Sequence, residues 1–227
     1  MSESATFAPA DYGLLADRSA AALVRDGSID WLCLPRYDSP AIFDRILDPR
    51  GGHWSICPAA GFTSERRYLP GTLVLQTTFT SDAGVVRLTD AMLFADDAGS
   101  PHEVLRSVEG VSGEVALVME LASRTEDPTR VAVRAGVPVE LDAAIRASFT
   151  MRAGDQVGFS LCWIPTDALV APEPTAPTAV AARISETVWR SWEEGHDVSA
   201  GTHRKLAELS SHLLERRETR ELAGAMR

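Results

Sequence analysis

Between residues 11 and 163 the chain is written in short apolar runs broken by turn residues. Residues 20–25 form a mostly apolar run ending in Arg25, Asp26-Gly27 follows, and 28–34 return. An Asp-Gly pair between two apolar runs predicts a tight hairpin, because both central residues of a type I′ turn need positive φ. Across 72–80 apolar and polar positions alternate, with Leu73, Leu75, Thr77 and Phe79 on one side. Ser81-Asp82-Ala83-Gly84 then turns the chain into a return run over 85–93. The same alternation sets Val115, Leu117, Met119 and Leu121 on one face, then Ile145, Ala147, Phe149 and Met151, then Val157, Phe159, Leu161 and Trp163. Val111-Ser112-Gly113 and Ala153-Gly154-Asp155 predict two further hairpins. A period of two means one face buried and one wet, so this stretch is mainly β, an antiparallel β-sandwich.

The pattern changes after Trp163. Pro165, Pro172, Pro174 and Pro177 lie among few large apolar residues and predict an extended linker or strap over 165–177. Val180, Ile184, Val188 and Trp192 then recur at helical spacing, and Gly195 is placed to end that helix. A second helix is predicted from Thr202, with Leu206, Leu209, Leu213 and Leu214 on its apolar face. The expected organisation is an N-terminal arm (1–10), a sandwich domain (11–164), the linker and C-terminal helices over 178–227.

Composition narrows the functions. The 227 residues carry 22 Lys+Arg against 32 Asp+Glu, a formal charge of −10, which opposes nucleic-acid binding. No apolar run is long enough for a membrane span, and the start lacks the basic and apolar regions of a secretory signal. Cys33, Cys57 and Cys162 are too sparse for a disulfide framework or a zinc knuckle, so a reducing, cytoplasmic setting is expected. The five histidines, His53, His102, His196, His203 and His212, do not fall at metal-ligand spacings, and no metal is expected. Without a glycine-rich phosphate loop, a Walker pattern or a Gly-x-Ser-x-Gly elbow, nucleotide binding and esterase chemistry have no support, and no cofactor is expected.

One segment is distinctive: Leu23-Val24-Arg25-Asp26-Gly27-Ser28-Ile29-Asp30-Trp31-Leu32-Cys33-Leu34-Pro35-Arg36-Tyr37-Asp38-Ser39-Pro40-Ala41-Ile42-Phe43. It resembles the opening of bacterial glycoside hydrolase family 15 proteins, the glucoamylase and trehalase-like group. Asp48-Pro49-Arg50-Gly51-Gly52-His53-Trp54, Arg66-Arg67-Tyr68-Leu69-Pro70-Gly71-Thr72 and Val108-Glu109-Gly110-Val111-Ser112-Gly113-Glu114-Val115 are similar to later parts of the same region. The resemblance implies a supersandwich-like N-terminal domain, joined in that family by a linker helix to an (α/α)6 barrel that holds the catalytic carboxylates. Trp189 and Trp192 look like that linker helix. After Leu121 the chain departs from the family, reading Ala122-Ser123-Arg124-Thr125-Glu126-Asp127-Pro128 where relatives have an aromatic-acidic loop.

Candidate residues follow from both readings. Arg36, Tyr37 and Asp38 sit on a loop stiffened by Pro35 and Pro40. They either present a guanidinium, an aromatic ring and a carboxylate to a polyol, or form a structural pair locking the loop. Trp31 is expected in the core, with Asp30 on the opposite face as a paired or solvated carboxylate. Asp17 and Arg18 read as a turn pair that also offers ligand contact. Trp189, Trp192, Leu206, Leu209 and Leu213 either cover the outer sheet or form a homodimer or partner interface. The charged tail 215–221 lacks a barrel-like apolar run, so a stand-alone, carbohydrate-associated accessory domain is expected. The alternatives are a fragment of a trehalase- or glucoamylase-like hydrolase, and a sandwich repurposed as an enzyme around Arg36 and Asp38.

Overall fold

The computed structural model describes residues 11–17, 19–93, 102–123, 131–165 and 173–193, with side chains as far as Thr187 in the last segment. Its strands are β1 (Gly13–Ala16), β2 (Ala21–Arg25), β3 (Ser28–Cys33), β4 (Ala41–Phe43), β5 (His53–Pro58), β6 (Thr63–Tyr68) and β7 (Leu75–Ser81). After these come β8 (Gly84–Met92), β9 (Glu103–Ala122), β10 (Val131–Ala135), β11 (Glu140–Leu141), β12 (Ile145–Arg152) and β13 (Gln156–Trp163). A 3-10 turn (Pro177–Ala179) leads into one helix, α1 (Val180–Glu193).

The spine of the fold is β9, a strand of 20 residues that belongs to both layers. Its second half pairs with β5 on one side and β12 on the other, within a sheet ordered β1-β2-β3-β5-β9-β12-β11, with β4 on β3. Its first half pairs with β8 and β13, within a sheet ordered β6-β7-β8-β9-β13-β10. Every pairing is antiparallel. The predicted sandwich is what forms. The Asp26-Gly27 hairpin is also present, with φ of 48° and 76° as a type I′ turn requires.

Two predicted hairpins are not hairpins. Val111-Ser112-Gly113 lies inside β9, where the register with β8 slips between Val85 and Val86 and Gly113 has a φ of 71°. This is a bulge that bends the strand from one sheet into the other. Ala153-Gly154-Asp155 is the matching corner on the neighbouring chain, since β12 and β13 pair with successive halves of β9. Gly110 locks the two bends together, donating to the Asp155 carbonyl and accepting from the Gly154 N–H, each at 2.9 Å. The side-chain phase records the bend: Val104 and Val108 face the inter-sheet core, and beyond the bulge Val115, Leu117, Met119 and Leu121 do.

The main core lies between the sheets, where Trp54, Phe79 and Phe159 are fully buried. A second cluster on the far side of β1–β3 holds Trp31 with Tyr12, Leu14 and Leu23, backed by Tyr37, Ile46 and Leu47 from the loops after β3 and β4. Both faces of β3 are therefore buried. That is possible because a register shift sets Val24 opposite Ile29 and Leu23 opposite Trp31, leaving Asp30 as the extra residue. A third cluster joins Val180 and Ile184 of α1 to Val74, Ala91 and Leu105 on the outer face of the second sheet. The expected wet face of β13 is thus covered: Gly158, Ser160 and Cys162 are buried beneath the strap and helix. Gly158 is needed there, since a Cβ would sit 2.2 Å from the Pro177 carbonyl oxygen.

Candidate functional site

Three buried polar nodes hold the sandwich. The deepest is Arg106 on β9, whose Nε and Nη2 donate to the Asp90 carboxylate at 2.8 and 3.3 Å. Its remaining donors cross the core to the carbonyls of Trp54 and Gly27, both at 2.6 Å, and the guanidinium lies 5.0 Å from the Trp54 ring centroid. Burial raises the Asp90 carboxyl against the opposing pull of Arg106. Neither residue was singled out from the sequence, yet a signal existed. Asp90 shares the phase of buried Val86 and Leu88, and Arg106 that of Val104 and Val108.

The second node is Asp30. Its Oδ1 accepts from Ser28 Oγ at 2.6 Å and from Arg45 Nε and Nη2 at 2.9 and 2.6 Å, while its Oδ2 accepts from Tyr12 at 3.0 Å. Burial, followed by the Asp30 charge, raises the Tyr12 hydroxyl well above its ordinary value. Asp30 is the paired carboxylate that the sequence reading allowed, and Arg45 is the partner it did not find. The third node is Asp17. Its Oδ1 accepts from the Ser19 and Ala20 amides at 2.7 and 2.6 Å, and its Oδ2 lies 2.7 Å from His102 Nδ1. Arg18 lies outside the described residues, as do Leu206, Leu209 and Leu213; Trp189 and Trp192 are placed in α1 by backbone alone.

On the loop after β3, Arg36 and Asp38 form a bidentate pair, Nε to Oδ1 at 2.9 Å and Nη2 to Oδ2 at 3.1 Å. The Arg36 side chain is 62% exposed. Tyr37 turns inward onto the second cluster, and its amide donates to the Ser19 carbonyl. The three residues are neighbours in sequence, but the tyrosine points away from the exposed pair.

The strap is held by Glu103, whose two carboxylate oxygens accept from the Thr175 amide and hydroxyl. Burial raises the Glu103 carboxyl, and these two hydrogen bonds oppose the shift. Ser160 Oγ donates to the Thr175 carbonyl at 2.8 Å. Burial also pushes the neighbouring Cys162 thiol up to about 12, so it is held in the unreactive thiol form. Among the described residues no cluster of His, Cys, Asp and Glu is arranged to hold a metal ion.

Beside the strap, α1 and the outer face of the second sheet enclose a cleft of about 180 Å³. Its floor is polar, built from Gln76, Thr89, Ser107 and Gln156, with Glu109 at the rim and Leu69 and Ile184 as apolar flanks. Glu109 is bonded to Arg87 at 3.0 Å. The floor residues were not found from sequence because each stands at the nominally wet phase of its strand, and only the helix makes that face concave.

These features define a class: a two-sheet β-sandwich whose buried acids serve as structural anchors and whose second sheet is capped by α1. Residues 8–141 match the trehalase-like N-terminal domain, and the chain belongs to that family. It is similar to the trehalase of Mycolicibacterium smegmatis, 31% identical over 81% of this chain and 34% of that protein. The trehalase of Mycobacterium tuberculosis is 29% identical, over 81% of this chain and 33% of its own length. Trehalase 1 of Sulfolobus acidocaldarius is 39% identical over 38% of this chain and 15% of that protein. The chain thus spans about a third of the length of the mycobacterial trehalases it matches.

Proposed function

We propose that this domain is a carbohydrate-associated accessory module that does not itself hydrolyse glycosidic bonds. Most glycosidases need two carboxylates flanking one sugar, about 5–5.5 Å apart for retention or about 6.5–9.5 Å for inversion. The observation that carries the reading is the fate of the buried acids: Asp17, Asp30, Asp90 and Glu103 are each saturated by backbone, hydroxyl or guanidinium donors. The cleft has a single carboxylate on its lining, Glu109. The finer relationship, to bacterial glycoside hydrolase family 15, rests on residues 23–43. Three free cysteines suit a reducing, cytoplasmic setting. Among the described residues no helix is long and apolar enough to cross a membrane. A second copy or a protein partner would meet either the outer sheet or the C-terminal segment.

A second reading is favoured by the lengths of the relatives: the match to the Mycolicibacterium smegmatis trehalase spans 34% of that protein. On that reading the sandwich heads a longer trehalase-like hydrolase whose acid and base come from a separate catalytic domain. Incubating the purified 227-residue chain with trehalose, maltose or soluble glucan and measuring glucose release tests the first reading. The expected result is no turnover above the buffer control; hydrolysis at enzymatic speed overturns it. Mass spectrometry of the product made in its source organism tests the second, which requires a species far heavier than 24.5 kDa.

A further inference from the structure

We infer that the cleft between α1 and the second sheet is a binding site for one neutral sugar ring. This deepens the accessory reading by giving it residues. The floor is two cross-strand rows of the pleated sheet. In one row Gln76 faces Thr89 and Thr89 faces Ser107; in the next Arg87 faces Glu109 and Glu109 faces Gln156. Successive rows on one face set polar groups at regular intervals along each strand, a spacing suited to the hydroxyls of a single ring. Ile184 of α1 and Leu69 stand at the sides, where the C–H faces of a ring would lie.

Ser107 and Gln76 are 6% and 9% exposed as residues, while their unpaired polar atoms still meet solvent. Among the described residues the hydroxyls of Ser107 and Thr89 and the Gln156 amide have no protein partner. Gln76 accepts from Arg67 through Oε1 at 2.9 and 3.1 Å, and its NH2 has no protein acceptor. Polar groups that reach a cleft without a protein partner are bonded there by water or by a ligand. Together with half-buried Thr89 and exposed Gln156, these hydroxyls and amides offer both donors and acceptors without net charge. That is the chemistry of a polyol. The charged neighbours do not alter it: Arg87 is ion-paired to Glu109 with its unpartnered Nε buried away from solvent, and Arg67 is bonded to Gln76. The cleft, about 180 Å³ and open to solvent, has room to seat a single ring.

The test is an NMR titration of the full, isotope-labelled chain with D-glucose, maltose and trehalose, and with glucose 6-phosphate and sorbitol as controls. Saturable shifts are expected at the amides of Thr89, Ser107 and Gln156 with millimolar affinity for at least one neutral sugar. Thr89→Val, nearly isosteric, should weaken binding by roughly two- to tenfold, one neutral hydrogen bond. Ser107→Val, which also fills the cleft, should abolish it, while Ser148→Val on the outer face of the first sheet should leave it unchanged. The site is disproved by the absence of saturable shifts up to about 50 mM, far above a millimolar Kd. Binding that survives both cleft substitutions disproves it too, as does tighter binding of glucose 6-phosphate or sorbitol. Sugar binding mapped instead to residues 36–38 overturns the cleft and leaves the accessory role standing. Trehalose turnover overturns the role and leaves the cleft standing.

Discussion

Asp90 on β8 and Arg106 on β9 stand directly opposite one another in the ladder and form an ion pair with no exposed side-chain surface. The pair faces inward, so Arg106 also reaches two carbonyls of the other sheet and fastens the layers together. Arg106→Met should destabilise the domain by about 3–5 kcal/mol, because it strands a buried carboxylate. The double variant Asp90→Leu/Arg106→Met should regain part of that loss and no more, since the Trp54 and Gly27 carbonyls each still lose the donor that Arg106 supplied. Urea midpoints of the parent, Arg106→Met, Asp90→Leu and the double variant check this. A fully additive pair of losses would refute the coupling.

Gly27 is held at a φ of 76°, and a Cβ there would lie 2.3 Å from the Ile56 carbonyl oxygen. Gly27→Ala should therefore cost at least the roughly 1–3 kcal/mol of a residue forced into this region, read as a lowered melting temperature. Gly61, whose Cβ would meet nothing within 4 Å, provides the control. Gly61→Ala should leave melting unchanged.

Arg45 carries the bonds that tie the loop after β4 to Asp30 and Ser28. Arg45→Ala should lose about 2–3 kcal/mol, the range for a hydrogen-bonded charged group, and should expose residues 44–52 to limited proteolysis. An unchanged cleavage pattern would mean the loop is held without the Arg45 side chain, by its backbone bonds and the packing of Ile46 and Leu47.

Glu103 links stability to pH. Burial raises its folded-state carboxyl above the ordinary value of 4.5, so the native state holds a proton that the unfolded chain releases. The stability this adds is present below the unfolded value and fades as pH rises through the folded one. Glu103→Gln keeps a neutral group with an acceptor for the Thr175 amide. It should match the parent protein near the acid end and become the more stable of the two as pH rises. Urea unfolding across the acid range measures the crossing. A constant difference would show that Glu103 does not titrate in this window.

The Arg36–Asp38 pair is largely exposed and screened by solvent. Arg36→Ala should leave the unfolding midpoint nearly unchanged. A large drop would mark the pair as the lock of its loop.

The Asp26-Gly27 turn and the alternating strands were legible because backbone sterics and side-chain phase act within a few residues. The burial of Trp31 was legible for the same reason. Its neighbour Asp30 was harder, since its Arg45 partner is 15 positions away. Asp17 and His102, 85 positions apart, show the same limit.

Local chemistry along the chain therefore determined the strand content, the first hairpin and the helical character of the segment after Thr178. Whether Gly113 reverses the chain or only bends it was decided by tertiary structure. A positive φ serves a hairpin and a bulge equally, and the outcome depends on β8 and β5 pairing with the two halves of one strand. The cleft arises in the same way: Gln76, Thr89 and Ser107 read as wet positions until α1 packs beside them and makes that face concave.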